Sequence, residues 1–313
     1  MLRPLAFLAL FIAAPAAASD LDGSWDLKSG RTIIFRLTVH GSSATWTHPR
    51  KFDSDGDGFS HVIGPAVVET THDIHAVTDD LELTFPDATP GSSPAILRLH
   101  KLTNGKATIS LVGMGLEPFD LTRAAAKTAP GPWDHARHYA LILPRPTNAR
   151  MTAIFDADQD ARKPDHIDWK VVAPADTERR RETQALLDAG GLQSGDDFFH
   201  AAFVFQHGDK PDDFLKAHLL TMVATARGRS DAVWIASATL DRYLQNIKQP
   251  QVLGTQFAIR DGKADQEPFN RDLISDALRR ALKVPTLADQ VAQGKGFEAR
   301  DARGKAAAAK SAP

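Results

Sequence analysis

Cysteine is absent from the 313-residue chain, which removes disulfides, thiolate metal ligands and thiol nucleophiles together. Any nucleophile must therefore be a hydroxyl, a carboxylate or an activated water. An excess of either charge is also missing, with 37 Lys and Arg set against 39 Asp and Glu. A chain balanced in this way has no electrostatic footprint for nucleic acid or for an anionic membrane surface. The GxSxG elbow, the GxxxxGK[ST] phosphate loop, the GxGxxG turn and HExxH are all lacking. No cofactor or metal is indicated by motif. Beyond the first twenty residues no apolar stretch is long enough to span a bilayer.

Those first twenty residues, MLRPLAFLALFIAAPAAASD, have Arg3 as an n-region and an apolar run from Leu5 to Ala14. Ala16-Ala17-Ala18 then fits an A-x-A cleavage site before Ser19, so residues 1–18 read as a secretory signal. A periplasmic or secreted location follows as the expectation. No transmembrane segment is expected after signal removal.

Two patterns divide the rest. Over residues 19–123 the runs TIIFRLTV, SATWT, LELTF, AILRLHKL, ATISLVG and FDLTR alternate with period two and favour β-branched residues. They predict about seven short strands in a small antiparallel sheet or barrel. The opening Gly23-Ser24-Trp25 resembles the Gly-x-Trp start of lipocalin-like barrels. Residues 124–147, rich in Pro, Gly and Ala at their start, read as a linker or connector, with Leu141 to Leu143 a last strand or extended chain. From residue 148 to 292 the pattern turns helical, with helices expected at 151–162, 174–189, 196–207, 212–226, 231–247 and 270–282. Asp231 is the expected N-cap of the fifth. The low-complexity end, residues 293–313, is expected to be disordered. The fold class expected is α+β in two domains.

Several chemistry-bearing stretches have plain structural explanations. DSDGDG, Asp53 to Gly58, matches the first half of an EF-hand loop, but the bidentate Glu of the twelfth position is replaced by Gly64. A solvated hairpin loop is the better reading. His72 and His75 fall on opposite faces of a strand, and His135 with His138 has no evident carboxylate nearby in sequence.

The helical half is different. FFHAAFVFQHGD is apolar nearly all round before Gln206-His207, DADQDAR places Asp158 and Arg162 at i,i+4 beside Gln159, and the fifth helix carries Asp241-Arg242 at the edge of its apolar stripe. Just behind it, QPQVLGTQF supplies three amides and a Gly-Thr pair, much hydrogen-bonding capacity with little apolar area. Each piece alone is explained by a helix cap or an ion pair. Taken in order, Asp158-Gln159 with Arg162, Gln206-His207 with Asp209, Asp241-Arg242, and Gln251 with Gly254-Thr255-Gln256 resemble a bacterial helical domain, domain-of-unknown-function family 6624. LKVPTLADQV resembles its closing helix. The resemblance covers roughly residues 152–291. Leu253 stands where that family usually has an aromatic, and Gly190-Gly191-Leu192 where it has a Gly-Trp-Pro turn.

The resemblance implies an ordered polar set and no known activity. Three functions fit. In the first, an exported hydrolase or group-transfer enzyme, His207 is the general acid or base, because an imidazole exchanges protons near neutral pH. Asp241 orients it and Arg242 holds an anionic group, while Asp158, Gln159, Arg162, Gln206, Gln251, Thr255 and Gln256 bind the polar remainder. In the second, the same pocket captures a polar small molecule without chemistry, and the β-rich half docks to an envelope component. In the third, these residues only knit helices together. Convergence on one accessible cavity separates the first two from the third.

Overall fold

The computed structural model describes residues 20–86, 93–102, 105–164 and 166–311. The expected signal segment, residues 1–18, lies outside them. The chain divides into two compact units, 1–144 and 145–313.

The first unit is a ten-stranded antiparallel sheet. Its strands are β1 (Gly23–Ser29), β2 (Thr32–His40), β3 (Ser43–Ser54), β4 (Gly58–Thr71), β5 (Ile74–Val77), β6 (Asp80–Phe85), β7 (Ala95–Lys101), β8 (Ala107–Leu111), β9 (Phe119–Arg123) and β10 (Tyr139–Ala140). The spatial order is β10-β4-β3-β2-β1-β9-β8-β7-β6-β5. Consecutive strands thus lie side by side, and β1 pairs with β9 through Trp25 and Arg123 to bring the two meanders together. The order is that of an up-and-down roll with β10 and β5 as its edge strands. The end of β4 and the turn after it are tied to β6, where Thr71 Oγ1 donates to the Thr84 carbonyl at 2.6 Å and Thr84 N to the Asp73 carbonyl at 3.0 Å.

Period-two alternation produces this roll. Phe35, Leu37 and Val39 of β2, Leu97 and Leu99 of β7, and Phe119 and Leu121 of β9 all turn inward and share one core with Trp25 and Trp46. Trp25 is 1% exposed, donates Nε1 to the Leu21 carbonyl at 2.8 Å, and carries the Arg123 guanidinium 3.7 Å over its ring. DSDGDG forms the β3–β4 hairpin, with Asp53 on His61 at 2.9 Å. His138, expected to lack a carboxylate, faces Asp55 at 3.3 Å.

Residues 124–144 are not a free linker. Arg36, which clamps the buried Asp26 at 2.6 and 3.0 Å, also donates to Thr128 O and Oγ1. Trp133 Nε1 donates to the Ile33 carbonyl, Tyr139 is buried in the core, and β10 pairs with the start of β4. The Pro-Gly-Ala composition hid two aromatic anchors that fasten this segment as a strap on the β-unit.

The second unit holds α1 (Ala149–Asp160), α2 (Trp169–Asp188), α3 (Gly195–Gln206), α4 (Pro211–Ala226), α5 (Ala232–Asn246), a small hairpin of β11 (Ala258–Arg260) and β12 (Lys263–Asp265), α6 (Asp276–Ala281) and α7 (Leu287–Ser311). Helix α3 is the central one. Its apolar girth packs Ala201, Ala202, Val204 and Phe205 against Met151 and Ile154 of α1 and Ala217 and Leu220 of α4. A capping box fixes its start, Ser194 accepting from Asp197 N while the buried Asp197 carboxylate accepts from Ser194 N.

Four expectations are corrected. Helix α2 begins at Trp169, with Pro174 inside it and Asp168 as cap. Helix α6 begins at Asp276, because Ser275 caps it. Asp231 precedes α5 without capping it, since its carboxylate is taken by Arg229 at 2.8 and 2.9 Å. The tail continues α7 to Ser311, as its run of alanine and lysine, both strong helix formers, allows.

Candidate functional site

The C-terminus of α3 sets the site. Helix α3 ends at Gln206, leaving His207 as C-cap and Gly208 in the turn that leads to α4. Gly208 is required because a side chain there would collide with Asp213. Arg180 of α2 donates Nη1 to the His207 carbonyl at 3.0 Å, and Arg242 of α5 donates Nη1 to the Gln206 carbonyl at 3.0 Å. Two cations thus satisfy carbonyls that the helix end leaves open, where positive charge is favoured.

The His207 ring is held from behind. Its Nδ1 lies 2.9 and 3.1 Å from the two oxygens of Asp158, which is 0% exposed on α1. The same carboxylate accepts from Arg162 Nη1 at 3.0 Å and Gln159 Nε2 at 2.8 Å. Arg162 reaches on to Asp176 of α2 at 2.7 Å, and Arg179 closes the ring by bonding Asp176 and standing 3.6 Å from Asp158 Oδ1. Burial alone would raise the Asp176 carboxyl, but the hydrogen bonds from Arg162 and Arg179 outweigh it and hold the group below the usual carboxylate range. The alternation of two carboxylates and two guanidinium groups is what lets four charges sit in a half-buried place.

In front of this network lies a cleft of about 280 Å³ lined by Arg162, Trp169, Asp176, Gln206, His207, Gly208, Phe214 and Arg242. His207 Nε2 makes no hydrogen bond among the described residues, and neither does the Gln206 amide. Arg242 differs from Arg162 and Arg179 in having no carboxylate partner among the described residues. Its contacts are the neutral carbonyls of Gln206 and of the Gln256 side chain, the latter accepting from Nε at 3.1 Å. Burial pushes its guanidinium down from the ordinary value, yet an arginine remains charged near neutrality. A half-buried cation without a carboxylate partner among the described residues, beside an open cleft, can take an anion.

Asp241 is not in this cleft. It is 0% exposed and turned away from His207. Its oxygens accept from Val252 N at 2.8 Å, Leu253 N at 3.0 Å, Thr255 N at 2.9 Å and Thr255 Oγ1 at 2.8 Å. The carboxylate that orients His207 is Asp158, and the expected role of Asp241 is corrected to that of a loop anchor. Asp241 and Arg242 are consecutive on a helix, so about 100° of rotation separates them and they cannot both face one cleft.

Gln251 and Thr255 are likewise structural. The fully buried Gln251 amide accepts from Gln256 N at 3.1 Å and donates to the Gln256 carbonyl at 3.0 Å and to the Gln266 carbonyl. Gly254 has φ +75°, and a side chain there would strike Phe269 and Gln290. Gln256 links loop to cleft by receiving Arg242 while donating to the Ala238 carbonyl at 3.2 Å and to Thr255 Oγ1 at 3.0 Å. QPQVLGTQF is therefore a folded amide loop that aims Arg242 from behind.

The sequence reading missed Asp176, Arg179, Trp169 and Phe214. The i,i+3 spacing of Asp176 and Arg179 mirrors the i,i+4 spacing of Asp158 and Arg162, and that complementarity was the available signal. With this geometry established, the comparisons add nothing further: no family model, no curated protein and no solved structure matches the chain. Among the described residues no helix is long and apolar enough to cross a membrane.

Proposed function

We propose that the helical unit binds a small polar anion in the cleft at the end of α3, with His207 as the acid–base group of a hydrolysis or group transfer. One observation carries this reading. The buried Asp158 holds His207 by Nδ1, which leaves Nε2 free in the cleft that the unneutralised Arg242 also lines. A carboxylate on one ring nitrogen selects the tautomer and orients the other nitrogen toward a reacting group. Arg242 offers Nη2 to the anionic part of a ligand and to charge that develops during reaction. The described lining residues hold no hydroxyl or thiol, and the Asp176 carboxylate is spent on two guanidinium groups, so the nucleophile is a water relieved of its proton by Nε2.

That same lack of a hydroxyl or thiol favours the second reading, a ligand-binding module without chemistry. Titration calorimetry with inorganic phosphate and simple carboxylates, on the native chain and on Arg242→Gln and His207→Ala, tests both. Arg242→Gln should abolish binding in either case. A panel of phosphate and carboxylate esters, turned over by the native chain and at least about a hundredfold more slowly by His207→Ala, supports catalysis. Binding that survives Arg242→Gln refutes the site.

Three further parts belong to the proposal. The two compact units are independently folding domains, supported by a separate apolar core in each. The mature chain starts at Ser19 in the periplasm or outside the cell, supported by the basic, apolar and small-residue order of residues 1–18; intact mass of the exported protein tests it. Membership of the helical family named above is supported by Asp158, Arg162, Gln206, His207 and Arg242, which come from three of its four pieces and meet at one place.

A further inference from the structure

The cleft also carries features that an anion alone does not use. Trp169 stands at its wall at the first turn of α2 and is 59% exposed. Phe214 lines the cleft from α4 and is buried. Gln206 is only 6% exposed, yet its amide is unspent among the described residues. Its polar atoms still reach the solvent of the cleft, where one ligand can pair with both donor and acceptor.

Resting on the reading of the cleft as an anion site, we infer that its ligand is a sugar ring bearing a carboxylate or a phosphate. The indole of Trp169 presents a flat apolar face with a polar edge, suited to the C–H face of a pyranose or to an aromatic ring. The amide of Gln206 presents a donor and an acceptor at fixed separation, matched to neighbouring hydroxyls. His207 Nε2 adds a third hydrogen-bonding position, and Arg242 Nη2 takes the anionic substituent. An aromatic acid would fill the space against Trp169 but offer no hydrogen bond to Gln206 or His207, and a sugar pairs with both. The volume agrees: about 280 Å³ lies at the low end of small-molecule pockets, room for one ring. The ligand is a single anionic sugar, or the anionic end unit of a longer glycan that continues past Trp169.

The experiment measures binding of glucuronic acid, glucose 6-phosphate, glucose, inorganic phosphate and benzoate to the full chain by calorimetry, for the native protein and for W169A, Q206A and R242Q. Glucuronic acid or glucose 6-phosphate should bind at least about tenfold more tightly than glucose, phosphate or benzoate, the worth of one or two well-placed hydrogen bonds. Preference between the two anionic sugars assigns the substituent as carboxylate or phosphate. W169A, an exposed position whose loss leaves the fold intact, should weaken the anionic sugars by roughly tenfold while leaving phosphate within about twofold. Q206A should act in the same direction, with its melting temperature measured alongside. Phosphate bound as tightly as glucose 6-phosphate, or benzoate as tightly as glucuronic acid, overturns the sugar inference. If R242Q abolishes binding in that event, the anion site still stands. Binding of no probe, or binding indifferent to R242Q, overturns both.

Discussion

Asp241→Asn is the substitution that best separates an anchor from a site residue. The wild-type carboxylate is fully buried and accepts four hydrogen bonds, Oδ1 from Val252 N and Leu253 N, Oδ2 from Thr255 N and Thr255 Oγ1. Asparagine keeps one acceptor oxygen and puts an NH₂ in place of the other. The least costly placement turns that NH₂ toward Thr255, whose hydroxyl can rotate to accept. Thr255 N then faces a donor and stays buried without a partner, and the two bonds at the remaining oxygen lose their charge assistance. A bond to a charged acceptor is worth roughly 1.5–3 kcal/mol against about 0.5–1.5 for a neutral one, and the orphaned amide costs about 1–3 kcal/mol. The sum is a destabilisation of roughly 3–5 kcal/mol. In a helical unit of this size that corresponds to a fall in Tm of roughly 6–20 °C, followed by circular dichroism at 222 nm. A fall of less than about 2 °C would show that the loop does not depend on this carboxylate, and the assignment of Asp241 as anchor would be withdrawn.

Asp158→Asn removes the negative charge shared by Arg162 and His207, and urea unfolding should show a loss of roughly 3–5 kcal/mol together with weakened ligand binding. Gln256→Ala frees Arg242 Nε but leaves the anchor intact, so Tm should move by no more than about 4 °C while anion affinity falls roughly tenfold. His200 stacks on Phe155 with centroids 4.2 Å apart, and burial, aided by Arg229 and opposed by Asp196, Asp156 and Asp197, holds its imidazole below the ordinary 6.5. The unfolded chain therefore binds a proton more readily than the folded one, and stability should drop as pH falls through about 6.5. His200→Phe keeps the stack and should flatten the Tm difference between pH 7.5 and 5.5, and an unchanged difference rejects the assignment. Limited proteolysis should cut residues 141–148, where Ile142 is 92% exposed, before it cuts residues 124–140, which Trp133 and Tyr139 hold down.

What the sequence disclosed follows from which forces act locally. Period-two runs such as TIIFRLTV and helix-period runs such as FFHAAFVFQ declare their own geometry, so the sheet, the helical half and the change of pattern between them were legible. The strap was not, because Trp133 and Tyr139 find their places only against β2 and β4, strands that a local pattern cannot supply. The end of α3 was legible from Gln206-His207-Gly208. Choosing between Asp158 and Asp241 as the partner of His207 was not, since both are single acids on helices and only the packing of α1 against α3 decides. Neighbours in sequence suggested one site for Asp241 and Arg242, where helix geometry sends them to opposite duties.

That division of duties has a kinetic consequence. The amides of Val252, Leu253 and Thr255 are shielded by the Asp241 carboxylate alone, and the Gln256 that follows them steers the Arg242 guanidinium. Solvent deuterium can enter those three amides only when the loop lifts, and the same lifting releases Gln256. The slow exchange of three backbone hydrogens is thus a clock for disassembly of a cleft that none of them touches. A ligand seated on Arg242 should slow that clock in proportion to its affinity.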